Sequence, residues 1–338
     1  MGLVKYITRR ILFLLMLIIG AATMVFIISH MVPSDPVVAN LSERNMSNTE
    51  LVEAFRSKWG LDKPLHIQYL LYMRSLLKGD LGISIRTSRP VIDDISKFLP
   101  ATIELAFFSM IIATIFGILF GIIAAWKRNS AIDQIFRTIS VTGVSIPSFW
   151  FALIMLFIFY YKLDWVPGPG RISYFIEPPA SITKFYVLDS ILQGNWVAAV
   201  DSFKHLILPS IVLGSFNLGL ITRTTRANLL EVLSADYIRT AKAKGLSEGL
   251  IMMRHALGNA LIPVITVIGL GLSSLLGGTV LVENIFAWPG IGRYAYQSVT
   301  TLDFPAITAV SLLIAVTYLL VNLVIDILYG VIDPRVRF

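Results

Sequence analysis

Cysteine is absent, which excludes disulfide staples, thiolate-ligated zinc and thiol nucleophiles. Charge is scarce: Asp, Glu, Lys and Arg make up 14% of the 338 residues, against roughly 25% in a soluble domain. Four isolated histidines, His30, His66, His205 and His255, form no HExxH pair and no His-rich metal site. There is no GxxxxGK(S/T) stretch to cradle a nucleotide, no GxSxG elbow and no zinc-peptidase signature. Those absences leave no enzyme active site to assign and set aside a membrane-embedded hydrolase. No repeat of fixed period is visible, which counts against a secondary transporter built from inverted halves.

What is abundant is hydrophobicity, at 56% of residues, with a mean hydropathy of +0.75. The chain therefore reads as an all-α integral membrane protein, since β-barrel strands would alternate in short segments instead. Six uncharged runs predict transmembrane helices over 11–29, 105–126, 138–161, 206–222, 256–282 and 304–325. The first run is too long for the apolar core of a signal peptide and no A-x-A site follows it, so it is expected to stay as a helix. Lys and Arg flank the runs, and the net charge of +7 needs no nucleic acid to explain it. Counted over short loops, positive residues cluster before the first span, between 126 and 137, between 223 and 255, and in the tail at Arg335 and Arg337. Those segments alternate to one side, which predicts that both termini are cytoplasmic in a multi-pass plasma (inner) membrane protein.

Three stretches follow from this division: residues 1–29 as cytoplasmic N-terminus and first helix, 30–103 as an extracytoplasmic loop, and 104–338 as a core of five further spans. The loop at 30–103 is patterned for helices. Ser47 and Glu50 have capping-box spacing ahead of Leu51, Ala54 and Phe55, with Gly60 as a stop. Ile67, Leu70, Leu71 and Leu77 form a second apolar stripe, and Val91, Ile92, Ile95 and Phe98 a third short helix leading to Pro100. A further external loop, 162–205, starts rich in Pro and Gly and turns apolar near Tyr186.

The cytoplasmic loop 223–260 is the most informative. Its stretch from Asp236 to Pro263 is basic and polar between two apolar runs, and reads as a short helix, a glycine break and a second helix re-entering the bilayer. Gly245 suits a turn with positive φ. Ala241 and Ala243 beside Arg239, Lys242 and Lys244 suit close contact with a partner protein, or a basic helix lying on anionic lipid. Among ionisable groups near the spans, Glu283 and Asp326 are candidates for function or for structural pairing. Glu104 is expected to favour the start of the second span, and Pro147 to kink the third or, as the alternative, to mark a break that lines a pathway. Gly269, Gly271, Gly277 and Gly278 point to tight helix packing.

Taken in order, several pieces resemble the permease subunits of ABC importers in the dipeptide/oligopeptide/nickel group, B-type. They are RRILFLL…HMVPSDP, with Ser34 where glycine is usual, KWGLDKPLHIQYLLYM, LLKGDLGISIRTSRPV, LPATIELA, SIPSFW, HLILPSIVLG and VENIFAWPGIGRYAYQSV…VNLVIDILYGVIDPRVR. The resemblance runs end to end and implies a type I importer permease with six transmembrane helices. It further implies a second homologous permease, two ABC ATPase subunits that hydrolyse the ATP, and an extracytoplasmic binding protein that delivers substrate. The chain itself would need no cofactor. Short peptides are the expected substrate, with nickel or oligosaccharides as alternatives within the group and an ATP-independent channel or secondary transporter outside it. The group's coupling motif, E-A-A-x3-G-x9-I-x-L-P, would fall on Arg239, Thr240 and Ala241, then Gly245, with His255, Leu257 and Gly258 at the Ile, Leu and Pro positions. Arg-Thr-Ala matches a variant found in peptide permeases, and Gly258 in place of proline would loosen the returning helix.

Overall fold

Long uncharged runs constrain the backbone to helix, because a polar backbone group in hydrocarbon must be satisfied within its own segment. The computed structural model describes residues 3–31, 49–59, 63–277 and 280–332, and every regular element among them is helical. In chain order these are α1 (Leu3–Met31), α2 (Thr49–Trp59), α3 (Leu65–Leu77), α4 (Val91–Trp126), α5 (Ala131–Ser145), α6 (Ser148–Met155), α7 (Tyr186–Leu192), α8 (Trp196–Leu233), α9 (Asp236–Ala243), α10 (Leu257–Gly277), α11 (Val280–Ile285), α12 (Ile291–Thr300) and α13 (Phe304–Ile332). A π-helical stretch, Leu156–Lys162, extends α6, and a second, Ile251–Ala256, joins the single turn Glu248–Leu250 to α10.

Five helical segments are long and apolar enough to cross a membrane: Ile7–Met31, Val91–Trp126, Trp196–Leu233, Glu248–Gly277 and Phe304–Ile327. The sixth expected span is not one straight helix. It is α5 followed by α6 and its π-helical extension, bent by 110°. Ile146 and Pro147 are both extended, and Pro147 has no N–H with which to continue α5. The sequence favoured a kink where the chain has a break. The other expected boundaries are too short. The pattern Val91–Phe98 is not a separate helix but the opening turns of α4, which runs on through Pro100. In the same way α8 starts well before residue 206 and passes through Pro209. Helix continues upstream of residue 256 to Glu248. The expected cap Ser47, the stop Gly60, Gly278 and the tail arginines lie outside the described residues.

The chain divides into two compact units, Met1–Thr102 with Pro289–Phe338, and Ile103–Trp288; α4 begins in the first and continues in the second. In the first unit α1 lies along α13, joined by Arg10 to Asp326 at 2.8 Å. One side of α1 is open, with Leu12, Met16, Met24 and Ile28 more than half exposed, as suits a lipid-facing helix. Its far end holds α3, through Thr23 Oγ1 to Tyr69 Oη at 2.8 Å and His30 Nε2 to Gln68 Oε1 at 3.0 Å. Val91, Ile95, Ile291, Tyr294 and Val310 form the unit's core. Asp303 caps α13 at Ala306 N and also accepts from Ser84 Oγ at 2.5 Å and Arg86 N at 3.2 Å. Asp94 accepts from Thr87 Oγ1 at 2.6 Å and Tyr294 Oη at 3.1 Å, and burial holds the Tyr294 phenol above its ordinary range.

In the second unit α8 is the central post, packed by α5, α7 and α10. Small residues set how close the helices come. A methyl at Gly219 would sit 2.4 Å from the Ser140 carbonyl oxygen, and one at Gly271 2.4 Å from Asn217 Oδ1. This is the close backbone approach on which membrane helices rely, since lipid gives no hydrophobic drive to pack them.

Candidate functional site

The residues expected to form a coupling loop gather around α9. Ser234 caps α8, the chain extends at Ala235, and Asp236 occupies the first turn of α9, where negative charge suits the helix dipole. Ile238 and Ala241, three apart on one face, are buried against Leu229 of α8, Ile251, Met252 and Ala256 of the π-helical stretch, Ala260 of α10 and Ala125 of α4. Complete burial of Ile238 contributes about 1.5–3 kcal/mol. The helix ends in a Schellman closure: Gly245 N donates to Lys242 O at 2.9 Å and Leu246 N to Ala241 O at 3.4 Å. Gly245 has φ +77°, the left-handed conformation expected of it, and Leu246 folds back onto the same cluster. Tyr237 Oη donates to the His255 carbonyl at 3.4 Å and accepts from Asn259 Nδ2 at 2.9 Å, tying α9 to the returning helix.

The face turned outward carries Arg239, Thr240, Lys242, Ala243 and Lys244, all exposed. Arg239 reaches Asp236 at 3.4 Å, but both side chains are open to solvent, so the pair adds little. Ala241 is the correction: it is 7% exposed and forms part of the loop's own foot, so it does not face a partner. Leu257 packs on that foot, and His255 is half-buried beside it. Gly258 stands apart, exposed, with no atom within 4 Å of where a Cβ would be.

Two buried ion pairs brace the second unit. Arg226 of α8 donates from Nε and Nη2 to the two Asp133 oxygens at 2.7 and 2.8 Å, a planar fork on a buried carboxylate. Asp133 also accepts from Asn129 N while Ser130 Oγ accepts from Asp133 N, a reciprocal cap on α5. The second pair is Glu104 with Arg171. Glu104 does not open a helix as expected; it is buried within α4, accepting from Arg171 Nη2 at 2.5 Å and Val187 N at 3.0 Å. The guanidinium lies 3.8 Å from the centroid of the Tyr186 ring and donates to the Lys184 carbonyl at 2.8 Å. Nearby, Asp189 is buried; burial alone would raise its pKa. The Thr183 hydroxyl and the N–H groups of Thr183, Ile182 and Lys184 outweigh that and hold it below the usual carboxylate range. Asp201 receives Ser173 N and Oγ, both at 2.7 Å. The segment between α6 and α8 is therefore fastened at several points, with Tyr174 and Phe175 almost wholly exposed at its tip.

Sequence reading placed the loop and its glycine but missed the foot, although Ile238, Ala241 and Leu246 carry its apolar signal. It also missed both ion pairs, whose partners stand 67 and 93 residues apart. Glu283 is fully buried in α11 and partnered. No cluster of three metal-ligating side chains occurs among the described residues.

Comparison with known proteins agrees along the whole chain. The family described as binding-protein-dependent transport system inner membrane component matches residues 117–338, and the corresponding N-terminal family matches residues 3–106. A dipeptide transport system permease protein of Alkalihalophilus pseudofirmus is 44% identical over 99% of this chain and 100% of its own length. A probable D,D-dipeptide transport system permease protein of Escherichia coli is 45% identical over 96% of this chain and 94% of its own. A glutathione transport system permease protein of Escherichia coli is 38% identical over 99% of this chain and 100% of its own.

Proposed function

Because the chain belongs to the family of binding-protein-dependent transport system inner membrane components, we propose that it is the permease subunit of an ATP-driven importer of short peptides. The carrying observation is end-to-end identity of 40–45% with permeases named for dipeptides. With such a fold the chain forms half of the pathway and itself hydrolyses nothing. The other half is a second homologous permease, and two ABC ATPases drive both from the cytoplasmic side.

The loop 234–256 is the coupling element in this reading, and both termini lie on its side of the membrane. Its build supports the role. An apolar foot makes α9 move with α8 and α10, while Arg239, Thr240, Lys242, Ala243 and Lys244 are left for the ATPase surface. The fastened segment between α6 and α8 then lies outside, as a surface for the binding protein. A basic helix resting on anionic lipid is the other reading of the exposed face, but the Schellman closure and the Tyr237 tether point to a fixed lever.

The test is purification of the tagged chain from its native membrane in mild detergent, followed by reconstitution. Two P-loop ATPases and a second permease are expected to co-purify, and the assembly to accumulate labelled dialanine only with ATP and a binding protein. A lone chain that transports without ATP would overturn the reading in favour of a channel or secondary transporter.

A further inference from the structure

The two faces of α5 differ sharply. Its packed side carries Asp133 and Ser140, both buried, with Phe136 stacked on Phe120 at 4.5 Å. On the same side, a methyl at Gly143 would sit 2.8 Å from the Ser215 carbonyl oxygen. The opposite side carries Gln134, Thr138, Thr142 and Ser145, with Ala131 among them and Val141 at its edge, all exposed. At about 100° per residue the four polar ones fall within about 80° of one another. The side of a bilayer helix that points farthest from its own protein is ordinarily the apolar one, and here it is mostly polar.

The side chains on this stripe are not satisfied internally. Ser109, Ser140 and Thr308 in the spans bond the carbonyl four residues back. Thr138, Thr142, Ser145 and the Gln134 amide make no side-chain hydrogen bond among the described residues. Lipid offers them no partner either, and an open polar group in hydrocarbon is costly. Ile132, Ile135 and Ile139, to one flank, supply the apolar surface that lipid would accept.

The stripe ends at the break between α5 and α6. There an open cleft of about 550 Å³ is lined by Thr142 and Ser145 together with Val141, Ile146, Pro147, Phe149 and Trp150. A broken helix also leaves terminal carbonyls and amides without helical partners. At membrane depth such backbone is tolerated where it lines water or is covered by protein.

We propose that the Gln134–Thr138–Thr142–Ser145 stripe and the cleft at Phe149 and Trp150 line the aqueous path of the translocated peptide. The inference rests on the peptide-importer reading and adds to it where the cargo runs and what meets it. Hydroxyl and amide groups exchange hydrogen bonds with the peptide backbone, whatever its side chains are. The two aromatic faces accept apolar side chains. The stripe contains no Asp, Glu or His, so it offers no ligand set for a metal cation.

Since the chain lacks cysteine, each single-cysteine variant carries a unique thiol on this subunit. In the complete importer in proteoliposomes, Thr138→Cys, Thr142→Cys and Ser145→Cys are treated with a charged methanethiosulfonate and scored by mass on this chain. Assembly of each variant is checked by its co-purifying ATPases. The thiolate is the reacting form and hydrocarbon suppresses it, so these positions are expected to react at least about tenfold faster than Ile132→Cys and Ile139→Cys. Saturating dialanine with its binding protein is expected to slow them. Stripe cysteines that react no faster than the isoleucine positions, or that the dipeptide leaves unprotected, would overturn the inference and put the stripe against the second permease or lipid. Dialanine uptake by the wild-type assembly is measured first. Its absence overturns the peptide reading, whereas uptake with unreactive stripe positions overturns this inference alone.

Discussion

Two loops of the second unit are fastened by opposite means. The one around Gly245 stands on an apolar foot, Ile238, Ala241 and Leu246, and turns its Lys and Arg to solvent. The segment between α6 and α8 does the reverse, burying Glu104, Arg171 and Asp189 while Tyr174 and Phe175 project. A buried, fully bonded charge fixes a segment in one geometry but contributes little net stability. An apolar foot is non-directional and ties the loop to the close-packed helices beneath it. The first loop is thus joined to the helices beneath it through an apolar cluster, and the second is held by buried, bonded charge.

The comparison breaks most sharply at Glu104. Glu104→Ala leaves the Arg171 guanidinium buried without its carboxylate, at an expected cost of about 3–5 kcal/mol. Hydrogen exchange on the purified assembly should then rise across residues 171–190 while α9 keeps its protection. Unchanged protection at 171–190 would mean that the ion pair does not fasten that segment. Next in size is Ile238→Ala, a large-to-small change in a closed cluster worth about 2–5 kcal/mol. Here exchange should rise across 236–250, the far segment should stay protected, and binding-protein-stimulated ATP hydrolysis should fall. If both segments loosen together in either variant, they are not independently fastened.

A pH titration sharpens the contrast with a smaller effect. The folded Asp189 carboxyl lies below its usual range, so its contribution is fully present above the unfolded value near about 3.9 and is lost as pH falls through the lower folded value. Exchange protection of residues 182–190 should therefore stay flat from neutral pH down to about pH 4 and decline only below it. Asp189→Asn should reduce protection already at neutral pH, because an amide oxygen replaces a carboxylate that gathers four donors. The apolar foot of α9 has no such group and should show no acid step in this range.

How much of this could be read from the sequence follows from range. Gly245 declared its positive φ through local chemistry, and the exposed basic face was legible as composition. Apolar runs located the membrane helices, although their ends were misjudged because polar and charged turns such as residues 201–205 and 223–233 remain helical on the same post. Ala241 was misassigned because a small residue between lysines looks alike whether it faces a partner or its own foot; only the packing of Ile251 and Met252 decides. Glu104 and Arg171 carry no local signal of each other. The α5 stripe needed the packed face to be known before its opposite could mean anything.

The smallest expected effect on the fold belongs to Arg239, and for that reason it separates the two kinds of loop most cleanly. Its side chain is 78% exposed, and its ion pair with Asp236 at 3.4 Å is open to solvent. Arg239→Ala should leave stability and the exchange pattern of α9 within about 0.5 kcal/mol of the parent. In the assembled importer the same change should still weaken the response of ATP hydrolysis to the loaded binding protein, and Arg239→Glu should weaken it further. A guanidinium on the outward face whose loss leaves the fold unchanged acts through whatever meets that face, an ATPase surface or anionic lipid. If both variants hydrolyse ATP as the parent does, that face is not where the ATPase engages Arg239. An equal loss in Lys97→Ala, on the opening turns of α4, would point to charge in general and not to a docking contact.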